Sequence, residues 1–108
     1  MALVRVWDDA VAKAQAEGCC RKCFSREMVE CAHIAGRKYD QPKLGWPKSR
    51  LWVNPDHIIP LCKRCHMRYD AHELDILPLL TPDEQAEVVR CLGIISALRR
   101  TTSKRLEE

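Results

Sequence analysis

The chain has 108 residues, a formal net charge of +3 and few aromatics (three Trp, two Tyr, one Phe). That length bounds it to one small domain with a barely self-sufficient core, and such domains usually carry a metal or disulfide staple. No stretch nears the roughly twenty apolar residues that span a bilayer, and "MALVRVWDDAVAKAQ" has an acidic pair where a secretory signal needs an apolar run.

In chain order, residues 3–17 place Val4, Trp7, Val11 and Ala14 at helical spacing, and Gly18 follows as a stop. This predicts an N-terminal helix over 1–18, leading into "CCRKC". Val29 to Ile34 is β-compatible, and an extended chain there projects Cys31 and His33 to one side. Residues 36–56 hold two glycines, three prolines and many charges, with Trp46 and Trp52 interleaved; they predict a long ordered loop. "HIIPL" (57–61) is a second strand, and a helix should start near Cys65 and run through "HMRYDAHEL". Thr81 as N-cap, Pro82 at the first helical position and Glu84 completing a capping box open a last helix over 81–100. Val88, Val89, Leu92, Ile95 and Leu98 give it an apolar face. The tail, 101–108, is expected to fray.

Seven cysteines in a chain expected to be cytoplasmic stay reduced, and paired ones then favour metal over disulfide. Cys20-x2-Cys23 and Cys62-x2-Cys65 are two knuckles that can each aim two thiolates at one tetrahedral ion. Together they predict a four-cysteine structural zinc site, which would supply folding energy that the core lacks. Cys19 could replace Cys20 through a three-residue gap. Cys31 and Cys91 fit core positions of a strand and a helix.

Charge is uneven along the chain. From Arg37 to Arg68 there are eight basic and two acidic residues, a net charge of +6, which leaves −3 for the remainder. A basic middle of this kind suits a polyanion. On its own, the run "ECAHIAGR" leaves His33 open as core packing, metal ligand or base.

A Cys-x2-Cys knuckle, a strand bearing "AHIAGR" and a strand running into "PLCKRCH" resemble the HNH endonuclease family over about residues 19–75. With "YDAHELDILPLL" and the closing helix, the chain is most similar to the small HNH proteins of bacteriophages. The resemblance implies a small α+β domain spanning 1–108, built on a ββα-metal finger (two antiparallel strands and a helix around one catalytic ion) with flanking helices. It implies DNA as substrate, a role beside phage terminase and packaging proteins, and the host cytoplasm as location. By position, His33 matches the general base and His66 the last metal-binding histidine. Asp70, one helical turn after His66, would be a second ligand. Imidazole with a hard carboxylate suits Mg²⁺, Mn²⁺ or Ni²⁺. His72 falls on another face, expected in solvent.

Physical chemistry asks for the same parts. Phosphodiester hydrolysis needs an activated water, a cation beside the phosphate and help for the departing oxygen. Histidine, with a free pKa of about 6.5, can take a proton from water near neutrality. Arg37, Lys38, Arg50, Lys63 and Arg68 are the expected phosphate contacts. Trp46 and Trp52 either stack on bases or cover the core.

Two positions depart from the family pattern. The residue before the base, usually a ligand, is Ala32. The middle asparagine is replaced by His57, which could hydrogen-bond or join His66 and Asp70 on the ion; Asn54 lies three positions off. These departures keep a second function open, a zinc-stabilised DNA-binding module with weak or no catalysis. A zinc-pinned protein-interaction module using the apolar face of 82–100 is the third.

Overall fold

In the computed structural model, which describes residues 3–102, the chain does not begin as a helix. Val4–Val6 is a strand (β1), two β-branched residues flanking an arginine, and only Asp8–Glu17 is helical (α1). The helical expectation for residues 3–7 is therefore corrected. Short alternating segments suit a pleated surface when a partner strand exists, and Arg50–Trp52 (β3) supplies one in parallel register, Val4 beside Arg50 and Val6 beside Trp52. The segment expected to be all loop thus holds a strand and two 3-10 turns, Arg37–Tyr39 and Pro55–His57. Asp8 and Asp9 lie in the first turn of α1, where the helix dipole favours negative charge. Gly18 ends the helix as expected, at φ 73°, its N–H bonded to the carbonyl of Ala14.

The centre is an antiparallel pair, Val29–His33 (β2) against Ile58–Cys62 (β4), with Val29 opposite Cys62 and His33 opposite Ile58. Lys63–Asp70 (α2) follows β4 without a loop, and Cys62 is its N-cap. This helix stops short of the expected "HEL", because His72 takes a left-handed conformation at φ 58°. His72 is half-buried.

The last helix is two helices. Thr81 and Glu84 form the capping box as the sequence predicts, opening Pro82–Leu92 (α3). Gly93, at φ 80°, breaks the run, and Ile94–Thr101 (α4) follows as a separate helix. Thr101, expected in the tail, is buried, and its carbonyl accepts from the N–H of Ile76. The rest of the expected frayed tail, 103–108, lies outside the described residues.

The main core joins Ala32, Ile34, Ile59 and Leu61 of the hairpin region to Tyr69 of α2 and to Val88 and Ala97 of α3 and α4. A smaller cluster, Ala10, Val53 and Ile58, sits with Trp7 and Cys31. Glu84 is completely buried and ion-paired to both Lys13 and Arg21. Lys13 also donates to the carbonyls of Pro55 and Ile58. One carboxylate therefore ties α1, the first knuckle and α3 together. Among the described residues no helix is long and apolar enough to cross a membrane.

Candidate functional site

The two knuckles converge. The sulfurs of Cys20, Cys23, Cys62 and Cys65 all lie within 4.8 Å of one another. Cys23 Sγ and Cys62 Sγ are 3.6 Å apart, close to the ~3.8 Å that a tetrahedral ion imposes on thiolates bound at about 2.3 Å. Backbone N–H groups of Cys23 and Cys65 point at Cys20 Sγ and Cys62 Sγ, each at 3.5 Å. Burial alone would raise the Cys20 thiol, but N–H donors from Cys23, Cys62 and Lys22 bring it down to about 6. Cys65 is pushed well up by burial and by the neighbouring sulfurs. Four thiols this close cannot all ionise unless a cation joins them, so the donor set fits one. The group could hold a structural metal such as zinc. Cys19 does not belong to it.

A second feature is a cavity of about 300 Å³ lined by Trp7, Cys31, His33, Gly36, Arg37, His66, Asp70 and Arg100. His33 ends β2, and its Nε2 lies 3.1 and 3.2 Å from the two oxygens of Asp40. Asp40 is buried and also accepts from Arg5 Nε at 3.0 Å. Trp7 meets the imidazole edge-on, with ring centres 5.2 Å apart. Desolvation lowers the His33 pKa below the ordinary histidine value despite the nearby Asp40 charge. With Nε2–H donated to Asp40, Nδ1 is the nitrogen left to accept a proton.

His66, on the first turns of α2, has Nδ1 2.8 Å from Glu30 Oε1 and Nε2 3.6 Å from Asp70 Oδ2. His33, His66, Asp70 and Arg37 are thus brought to one cleft. Arg100 completes its rim: Nε donates to the carbonyl of Ile34 at 3.0 Å, and the guanidinium covers the Tyr69 ring.

His57 is placed elsewhere. It ends the turn before β4 and is buried, with Nε2 2.7 Å from Glu87 Oε2 on α3 and 4.0 Å from Cys91 Sγ. It does not line the cleft, so the expected sharing of one ion with His66 and Asp70 does not match this geometry. The reason is local: Asn54 caps the turn by accepting from Asp56 N–H, and the ring packs toward α3. The donors of His57, Glu87 and Cys91 also lie together. There, Arg90 already supplies positive charge, donating twice to Glu87 and approaching Cys91 Sγ to 3.7 Å.

The expected phosphate contacts are dispersed. Arg37 lines the cleft, and Lys38 lies over the Tyr39 ring. Arg50 stacks on Trp46, while Trp52 donates to Asp9 and carries Lys43 on its face. Lys63 and Arg68 line a separate groove along α2 with Met28 and Met67.

Asp40, Glu30 and Arg100 were not singled out by sequence. Each meets its histidine or the cleft only through folding, 7, 36 or more residues away along the chain. The one available signal was the acidic residue three positions before His33, on the strand itself.

No protein-family model matches the chain, and no curated protein or solved structure is significantly similar to it.

Proposed function

We propose that the protein is a metal-dependent endonuclease of the HNH type, hydrolysing DNA phosphodiester bonds. In this reading β2, β4 and α2 are its ββα-metal finger, and zinc on the four cysteines clamps that finger from outside. The observation that carries the proposal is the single cleft holding His33, His66, Asp70 and Arg37, with the His33 ring backed by a buried carboxylate.

His33 Nδ1 would take the proton from the attacking water. Asp40 would keep Nε2 protonated and stabilise the imidazolium that forms, a role that orients as well as charges the base. His66 and Asp70 would hold a divalent ion (Mg²⁺, Mn²⁺ or Ni²⁺), whose charge would offset that of the phosphate and of the departing 3′ oxygen. Arg37 and Arg100 would bind the non-bridging oxygens, while Lys38, Lys63 and Arg68 would follow the backbone on either side. The resemblance of its Cys-x2-Cys, "AHIAGR" and "PLCKRCH" segments to the small HNH proteins of bacteriophages would extend the proposal to DNA packaging beside a terminase.

A second reading, a zinc-stabilised DNA-binding module without catalysis, is favoured by one observation. Ala32 is fully buried in the core and brings no ligand, so only two cleft side chains would hold the ion. Incubating supercoiled plasmid with each of the three ions, and with EDTA, separates the two. Conversion to nicked or linear product that EDTA abolishes supports the enzyme. Retarded but intact plasmid under every ion supports the binding module.

A further inference from the structure

The metal-dependent reading leaves one side chain without a task, and it is bonded to a proposed ligand. Glu30 stands on β2 opposite Leu61, and its Oε1 lies 2.8 Å from His66 Nδ1. Glu30 does not line the cleft, whereas His66 and Asp70 do. It therefore backs the imidazole from outside and does not face the site. Both partners reach solvent, the glutamate side chain at 44% exposure and the histidine at 26%. A pair this exposed adds little to folding, so stability does not account for the contact.

We infer that Glu30 is a positioning residue for His66, holding Nδ1–H so that Nε2 is presented to the catalytic ion. The inference rests on the metal-dependent reading above. A neutral imidazole carries one N–H, and the hydrogen bond made by one nitrogen decides which lone pair is free. A carboxylate that accepts from Nδ1 fixes the proton there, stops the ring from turning and makes Nε2 a stronger donor to a metal. On the Nε2 side, Asp70 Oδ2 is 3.6 Å away. That is too long for a hydrogen bond and comparable to the ~3 Å between adjacent donors on an octahedral ion bound at about 2.1 Å. Glu30, His66 and Asp70 thus line up as brace, ligand and ligand. The brace also answers the loss of a carboxylate at Ala32: the strand still contributes an acid to the site, one step removed.

The test uses the zinc-loaded full chain with Glu30→Ala and Glu30→Gln. Nitrogen-15 NMR of the imidazoles reports the His66 tautomer without any added ion, and calorimetric titration with Mn²⁺ reports affinity. We expect His66 protonated at Nδ1 in the parent chain and displaced from that tautomer in Glu30→Ala. Mn²⁺ affinity should fall about 10–100-fold in Glu30→Ala, with zinc content and melting temperature unchanged. Glu30→Gln keeps an oxygen acceptor and should retain the tautomer and a smaller loss. An unchanged tautomer, or a displaced tautomer with unchanged Mn²⁺ affinity, overturns the inference. A parent chain that neither binds Mn²⁺ nor cuts DNA overturns the nuclease reading instead, and the tautomer measurement then still reports on the Glu30 contact.

Discussion

Asp40 holds His33 and Arg5 on one buried carboxylate, with His33 Nε2 3.1 Å from Oδ1 and Arg5 Nε 3.0 Å from Oδ2. Replacing Asp40 by Asn keeps the shape but removes the charge that, in the proposed mechanism, would steady the imidazolium. Single-turnover nicking should then fall by about 10²–10⁴-fold, the range for a positioned acid–base group. DNA affinity, read by gel retardation, should hold. Loss of binding in parallel with nicking would show that Asp40 supports the fold and not the base.

The same pair sets a pH dependence. As the proposed base, His33 would work only when neutral, and burial lowers its pKa below the ordinary value while Asp40 opposes that shift. The rate should therefore be flat near neutrality and fall on the acid side only as pH drops through a value below about 6.5. Asp40→Asn removes the opposing charge, so its acid limb should move further down. A pH–rate profile whose acid limb lies above 6.5 would contradict the assignment of His33.

Chelation should unfold the protein. Apparent binding free energies of structural zinc, about 10–16 kcal/mol in small zinc domains, match or exceed the whole stability of a typical domain, about 5–15 kcal/mol. Cys62→Ser takes one sulfur from the four while its hydroxyl can still cap α2 by accepting from Cys65 N–H, so it tests the metal and not the cap. It should lower bound zinc from one ion per chain and abolish cooperative melting in circular dichroism. A variant that melts like the parent without zinc would show that the four sulfurs are packing only.

Glu84 is completely buried between Lys13 and Arg21. Burial raises its pKa, but the two cations and the Thr81 N–H more than reverse this and hold the carboxyl below its usual range. A depressed folded-state pKa gives stability that is present above the ordinary carboxylate value and is lost as pH falls through the folded one. Glu84→Gln should cost about 3–5 kcal/mol at pH 7, as breaking a buried pair does, and less in acid. Urea unfolding at pH 7 and pH 3 checks both the size and the sign.

Contacts to phosphate should separate from contacts within the protein. Arg37 and Arg100 line the cleft, whereas Arg50 is stacked on Trp46. Arg37→Ala should weaken DNA binding at low salt and reduce the slope of log K against log [salt] by ~0.9. Arg50→Ala should change that slope less. A slope left unchanged by Arg37→Ala would place the DNA face away from the cleft.

Much of this architecture is legible in the sequence where the determinants are local. Two Cys-x2-Cys spacings announce the sulfur cluster, Thr81-Pro82-x-Glu84 announces its capping box, and Gly18 marks a helix end. What escapes is set by distant partners. Val4–Val6 reads as the start of a helix because Trp7 and Val11 continue the spacing, and only Arg50–Trp52 makes it a strand. Gly93 splits the last helix although the apolar periodicity runs through it. His57 sits at a promising offset from Cys62, yet its neighbour is Glu87, 30 residues later. Asp40 and Glu30 are ordinary acids until the hairpin and α2 bring imidazoles to them.

The most direct measurement is the conversion of supercoiled plasmid by the parent chain and by His66→Ala, compared at equal zinc content with Mn²⁺ present. The account predicts rapid nicking by the parent and none above background by the variant, with both still binding DNA. Equal nicking by the two, or none by either under any of the three ions, would contradict it.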